Sequence, residues 1–268
     1  MSQKSIGVFD SGIGGLTIVK AIQQLLPNES IVYFGDTAHL PYGDKSPELL
    51  KKYARQITGF LKENNVKLIV IACNTASAVA KEVVIETAGD IPVVDVIQPA
   101  VKLAVETSSR KKIAVIGTKT TIASHVYREA INKLSKEAIV IEKATPLLAH
   151  LIEEGWANNT ISKQVIEAYL TDTGFSDIDS IILGCTHYPL IKETVKSFFT
   201  SNYFHPISVI DSSVAVAESV KNFLDLYNLN ATGNQKEMKF YVSDLTESFV
   251  RSSSIFFDQE VNLQKIKL

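Results

Sequence analysis

Two apolar runs, each closed by a cysteine and then by small or hydroxyl-bearing residues, constrain this chain more than any other feature. They are Val70-Ile71-Ala72-Cys73-Asn74-Thr75-Ala76-Ser77 and Ile181-Ile182-Leu183-Gly184-Cys185-Thr186-His187-Tyr188-Pro189. Each reads as a short buried strand that opens into a helix start or turn. At such corners an α/β sheet presents side chains to a ligand, and unpaired helix N–H groups favour an anion. These are the only two cysteines among 268 residues, too few for a disulfide framework, so free thiols are expected.

The rest of the chain alternates short apolar strands with helical periodicity, the pattern of an α/β fold. Ile6 to Phe9, Ile31 to Phe34 and Leu68 to Ile71 lead to the first cysteine, with Val93 to Val96 beyond it. Ile113 to Ile116, Ile139 to Ile141 and Ile181 to Leu183 lead to the second, with a strand ending at Val209-Ile210-Asp211-Ser212. Ser46 before Pro47 marks a capped helix reaching Glu63. Asp10 to Cys73 spans 63 positions and Thr118 to Cys185 spans 67, so the halves read as a degenerate repeat.

The expected architecture is therefore two similar domains, each a mainly parallel sheet flanked by helices, related by pseudo-two-fold symmetry. The first takes residues 1–97 plus 212–268 and carries Cys73; the second takes 98–211 and carries Cys185. Ile97-Gln98-Pro99 reads as the crossing between them. Repeated halves face one another, which puts the two cysteine corners across a cleft. The tail, with a strand at Met238 to Val242 and a helix from Thr246 to Phe256, is expected to fold back onto the first half.

Two loops have a plain and a functional reading. Asp10-Ser11-Gly12-Ile13-Gly14-Gly15 tempts a dinucleotide assignment, but Thr17 stands where the third glycine or alanine belongs, and the fingerprint fails. Either Asp10 or Ser11 caps the following helix, or both sit in a polar pocket at the strand end. Gly35 to Gly43 holds Tyr42 between Pro41 and Gly43, a plain loop or a fixed contour over a ligand.

Charge and hydropathy exclude some classes. A net charge of −2, a pI near 6.2 and scattered lysines leave no basic stripe for nucleic acid. No apolar run approaches the roughly 20 residues that span a bilayer. Met1 to Ser5 leads into the first strand without a signal-peptide core, so no membrane association and a cytoplasmic location are expected.

A thiolate is a base and a thiol an acid when the pKa lies near ambient pH, and the free value is about 8.5. One thiol on each face of a chiral carbon can remove a proton from one side while the other delivers one. The stereocentre inverts. Donors at Ser11, Asn74, Thr75, Thr118 and Thr186 suit a substrate carboxylate, and Asp10 or His187 can relay protons to the neighbouring sulfur. Against this, a lone strand-end cysteine is usually a small core hydrophobe, and His187 can be a buried histidine that only satisfies hydrogen bonds. Paired occurrence at matching corners favours chemistry. A zinc site from Cys73, Cys185 and His187 lacks the short ligand spacing metals use. A cysteine hydrolase built on Cys185 would leave Cys73 without a role.

These motifs, with Gly7 to Leu16, Asp36-Thr37-Ala38, Pro41-Tyr42-Gly43 and Gly184 to Leu190, resemble the glutamate racemases of the aspartate/glutamate racemase superfamily. The matching segments keep the family order and cover nearly the whole chain. The resemblance implies no cofactor and no metal, Cys73 and Cys185 as the acid/base pair, and two α/β domains with the site between them. It implies glutamate contacts from Asp10, Ser11, Pro41, Tyr42, Gly43, Asn74, Thr75, Thr118, Thr121, Thr186 and His187. An auxiliary acid maps to Glu153, where a solvated helix end is the alternative; nearby, Thr145 and His150 stand where relatives often carry cysteine and proline. The implied activity interconverts L- and D-glutamate and supplies D-glutamate for peptidoglycan, in a homodimer. The alternatives are an aspartate or hydantoin racemase, or a protein that closes its halves on a dicarboxylic amino acid without reacting.

Overall fold

The computed structural model describes residues 4–171, 173–203, 206–232, 236–257 and 261–268. The first quartet of strands is β1 (Ser5–Asp10), β2 (Ile31–Gly35), β3 (Val66–Ile71) and β4 (Val93–Asp95). The second is β5 (Lys112–Gly117), β6 (Ile139–Ala144), β7 (Ser180–Gly184) and β8 (Ser208–Ile210). The tail adds β9 (Met238–Val242) and β10 (Leu263–Lys265).

Two sheets result, ordered β10-β9-β2-β1-β3-β4 and β6-β5-β7-β8, with parallel pairing throughout. Within them β2-β1-β3-β4 and β6-β5-β7-β8 repeat one order, so the two halves are alike in topology. Parallel sheets are covered on both faces, which is why Leu68 to Ile71 in β3 and Ile181 to Leu183 in β7 read as unbroken apolar runs, and why β1, β3 and β7 are buried almost end to end.

One hydrophobic core runs through both sheets. Val8, Val70 and Leu16 belong to the same cluster as Ile113, Ile182 and Val216. Helices Leu16–Leu25, Ile97–Thr107 and Ser212–Leu226 carry it from one sheet to the other. A second cluster fills the opposite face of the larger sheet, where helix Pro47–Glu63 sets Ile57 and Leu61 against Phe34 and Ile69. Ser46 caps that helix by accepting from Leu49 N, as its sequence indicates.

Three details refine or depart from the sequence reading. Ile97-Gln98-Pro99 is the first turn of a helix that runs between the two sheets, its start fixed by Asp95 Oδ1, which accepts from Ile97 N (2.7 Å) and Gln98 N (3.1 Å). Proline is tolerated in a first turn, where no intrahelical N–H bond is lost. Neither Asp10 nor Ser11 caps helix Leu16–Leu25, whose N-cap is Gly15. Finally, β10 extends the larger sheet beyond β9, an edge with no apolar run to announce it. The tail does fold back: β9 pairs with β2 through Tyr33 and Phe240.

Candidate active site

Both cysteines stand just past the C-terminal ends of central strands, Cys73 beyond β3 and Cys185 beyond β7. They are free, nearly buried, and line one cavity of about 40 Å³. A thiol thus enters the same small space from each sheet.

The surroundings of the two sulfurs differ. Cys73 caps helix Asn74–Val79, and its Sγ accepts from Ala76 N at 3.4 Å. Burial, and then the nearby Asp10 carboxylate, push its pKa up to about 12. Cys185 Sγ lies 3.6 Å from His187 Nδ1, and His187 Nε2 lies 2.9 Å from Glu153 Oε1. Burial alone would lower the His187 pKa, but its bonds to Cys185 and Glu153 carry it well above the ordinary histidine value. Burial likewise opposes ionisation of Glu153, and the His187 bond outweighs it, so this carboxyl sits below its usual range. The imidazole is therefore a charged donor beside the second thiol.

Hydroxyls and one loop form the other walls. Thr75 Oγ1 lies 3.0 Å from Thr118 Oγ1 and 3.2 Å from Thr121 Oγ1, a triangle closed by a 2.9 Å contact between Thr118 and Thr121. It joins the Cys73 corner to the end of β5. The Pro41-Tyr42-Gly43 segment lies over the cavity, held by Tyr42 Oη donating to Asp36 Oδ2 at 2.6 Å and by Thr120 Oγ1 donating to Gly43 O at 2.8 Å. Gly43 sits so close that a Cβ there would meet Thr118 Cβ at 2.7 Å.

Of the residues singled out from sequence, Ser11, Pro41, Tyr42, Gly43, Asn74, Thr75 and Thr118 line the cavity with Cys73. So do Glu153, Thr186 and His187 with Cys185. Asp10 and Thr121 lie one layer behind. Asp10 Oδ2 accepts from Gly12 N (3.2 Å) and Gly15 N (2.9 Å), and burial raises its pKa despite the charge of His187. Leu40, Ala149 and His150, none of them a site candidate from sequence, complete the wall. Of these, only His150, three residues before Glu153 on one helix face, has a spacing that marks it. Tyr127, whose hydroxyl accepts from Asn74 Nδ2 at 2.7 Å, has no local signal at all. Among the described residues, no group of three or more His, Cys, Asp or Glu is placed to hold a metal ion, and no helix is long and apolar enough to cross a membrane.

Two parallel sheets that share a four-strand order, each sending a free thiol into a shared cavity, define an α/β protein of two like halves with its candidate site between them. The chain belongs to the Asp/Glu/hydantoin racemase family, whose model matches residues 6–220. It is 42% identical to a glutamate racemase of Chlorobaculum tepidum over 261 residues, 97% of this chain and 94% of that protein. Against a glutamate racemase of Neisseria meningitidis serogroup C it is 41% identical over 248 residues, covering 92% and 90%. Among solved structures, a glutamate racemase of Francisella tularensis in complex with D-glutamate superposes with a TM-score of 0.92 at 39% identity, covering 100% of this chain and 98% of that one. A glutamate racemase isoform of Bacillus anthracis gives 0.93 at 32% identity, covering 100% and 99%.

Proposed function

We propose that this protein interconverts L- and D-glutamate by proton transfer at the α-carbon between two thiols. The observation that carries the reading is the shared cavity into which Cys73 and Cys185 enter from different sheets. Near-full-length similarity to glutamate racemases, one of them in complex with D-glutamate, supports the choice of substrate.

In one direction Cys185 takes the α-proton while Cys73, a thiol at neutral pH, delivers its own proton to the opposite face. In the other direction the roles exchange, and each turnover moves one proton on and one off the carbon. His187, held by Glu153, supplies a charged donor beside Cys185. Ser11, Asn74, Thr75, Thr118 and Thr186 hold the polar ends of the substrate, and the donors among them stabilise charge that develops as the α-proton leaves. Pro41, Tyr42 and Gly43 shape the cavity, while Asp10 and Thr121 support the layer in front of them. Residues 1–97 with 212–268 act as one lobe and 98–211 as the other, in a cytoplasmic homodimer that supplies D-glutamate for peptidoglycan.

Incubation with L-glutamate in heavy water tests this. Deuterium is expected at the α-carbon together with decay of optical rotation to zero. Binding that leaves both unchanged overturns the proposal.

A further inference from the structure

The cavity between the two thiols is small. Its volume of about 40 Å³ has room for a few water molecules, whereas small-molecule sites ordinarily enclose about 300 Å³ or more. A ligand the size of an amino acid therefore enters only if a wall moves. The lining residues that reach solvent show which one. They are Leu40, Pro41 and Gly43 of the loop after β2, with Thr118, Ala149, His150 and Glu153 from the segments after β5 and β6; the rest of the lining is buried. The cavity thus meets solvent along the seam between that loop and the strand ends of the second sheet.

Two side chains fasten the seam. Thr120 Oγ1 donates to Gly43 O at 2.8 Å, with Lys45 O a longer alternative at 3.4 Å. Lys119 Nζ lies 3.1 Å from Asp44 Oδ1. Thr120 and Lys119 open helix Lys119–Ala123, and their partners are the three residues that follow Tyr42. The ion pair is exposed, so solvent screens it and it holds weakly. The threonine bond is partly buried and holds more firmly. Thr118 and Thr121 bond to Thr75, whereas Thr120 bonds to the loop. Whether the loop swings or the helix withdraws, the same contacts break, because they join the two sides of the mouth directly.

We propose that Thr120 and the Lys119–Asp44 pair form the latch of this mouth, and that their contacts with residues 43–45 set how often the cavity opens. Neither Thr120 nor Lys119 lines the cavity, so both gate the site without touching a reacting atom.

Alkylation by iodoacetamide tests this without any substrate, so its outcome stands apart from the glutamate reading. Cys73 and Cys185 are 4% and 7% exposed, and a reagent reaches them only through an opening. Where reclosing outpaces the reagent, the labelling rate is proportional to the open fraction. Thr120→Val keeps the shape and removes the hydroxyl. It is expected to raise the labelling rate about three- to tenfold, the contribution of one hydrogen bond, by the same factor at both thiols because they share one mouth. Lys119→Glu sets two carboxylates against each other. Its rate is expected to rise about twofold or more at low salt and to return toward wild type in about 1 M salt, where the Debye length is about 3 Å. Peptide mass spectrometry follows each cysteine. Urea well below the unfolding transition should hardly change the rates of wild type and variants, since opening a mouth exposes little surface. An unchanged rate in T120V, unequal rises at the two cysteines, no salt-dependent rise in K119E, or a urea dependence that matches global unfolding overturns the assignment.

Discussion

His187 donates its Nε2–H to Glu153 Oε1 across 2.9 Å, tying the turn after β7 to the end of helix Pro146–Glu153. The direction of the bond follows from charge, since an ionised carboxylate only accepts. It holds the ring so that Nδ1 faces Cys185 at 3.6 Å. At Cys73 the corresponding neighbour is a backbone amide, Ala76 N. Two corners that look alike in sequence thus differ in their electrostatic surroundings.

Replacing Glu153 by glutamine keeps an acceptor oxygen and removes the charge. The His187 titration midpoint is then expected to fall toward the ordinary histidine value, while wild-type His187 stays protonated through neutral pH. Because the folded-state pKa is raised, the ion pair stabilises below about pH 6.5. That stabilisation disappears as pH rises through the folded value. Wild type should therefore exceed E153Q in stability most at neutral and mildly acidic pH, and the two should converge in alkali. Nitrogen-15 NMR of the imidazole reads the midpoint directly, and an unmoved midpoint would discard the coupling.

The raised thiol at Cys73 predicts a separate alkaline loss. Its pKa moves from 9.0 to about 12 on folding, so the native state favours the proton. This contribution is complete below pH 9 and fades as pH climbs toward 12. Cys73→Ala lacks it. By about pH 10 wild type should lose roughly 1 kcal/mol relative to C73A, compared with their difference near neutrality. Urea midpoints at the two pH values measure this, and parallel curves would contradict it.

Tyr42→Phe isolates the tie between the cavity wall and Asp36. The ring and its stack on Tyr53 remain, while the 2.6 Å bond to Asp36 Oδ2 is lost. Asp36 keeps His39 and Ser243 as partners, so the loop loosens without collapsing. Stability should fall by about 1 kcal/mol, the net worth of one buried hydrogen bond. KM for glutamate should rise more than kcat falls, because the loop shapes binding and reaches no reacting atom. A kcat defect at unchanged KM would count against that role.

What the sequence made legible follows from physics that is local. Strands buried on both faces are continuous apolar runs, so β1, β2, β3, β5 and β7 were readable within a residue or two. Helix Pro47–Glu63 was readable because Ser46 and Pro47 mark its start. The cysteine corners stood out because two rare residues follow two such strands. Other features depend on partners far along the chain. Asp36 acquires its role through Tyr42 and Ser243, the latter 207 positions away. β10 exists because β9 offers an edge. Helix Ile97–Thr107 was hidden by Pro99, which punctuates a loop as readily as it opens a helix.

Gly14 gives the most direct check on how closely the two halves meet. A Cβ there would lie 2.6 Å from Thr186 Oγ1 and 2.8 Å from both Cε1 and Nδ1 of His187. The histidine ring cannot retreat freely, since it is held by Glu153 and packs edge-on against Phe256 with centroids 5.2 Å apart. Alanine at this position should therefore push the imidazole off Cys185 and cost about a hundredfold or more in kcat/KM, in the range ascribed to positioned acid/base groups. A drop in melting temperature should accompany it. Gly59 is the control, within helix Pro47–Glu63 and with nothing inside 4 Å of an added Cβ. There alanine should stabilise by roughly 0.5–1 kcal/mol through helix propensity and leave turnover unchanged. If G14A instead matches G59A in activity, the glycine turn after β1 does not press on His187, and the contact between that turn and the Cys185 corner is looser than these distances require.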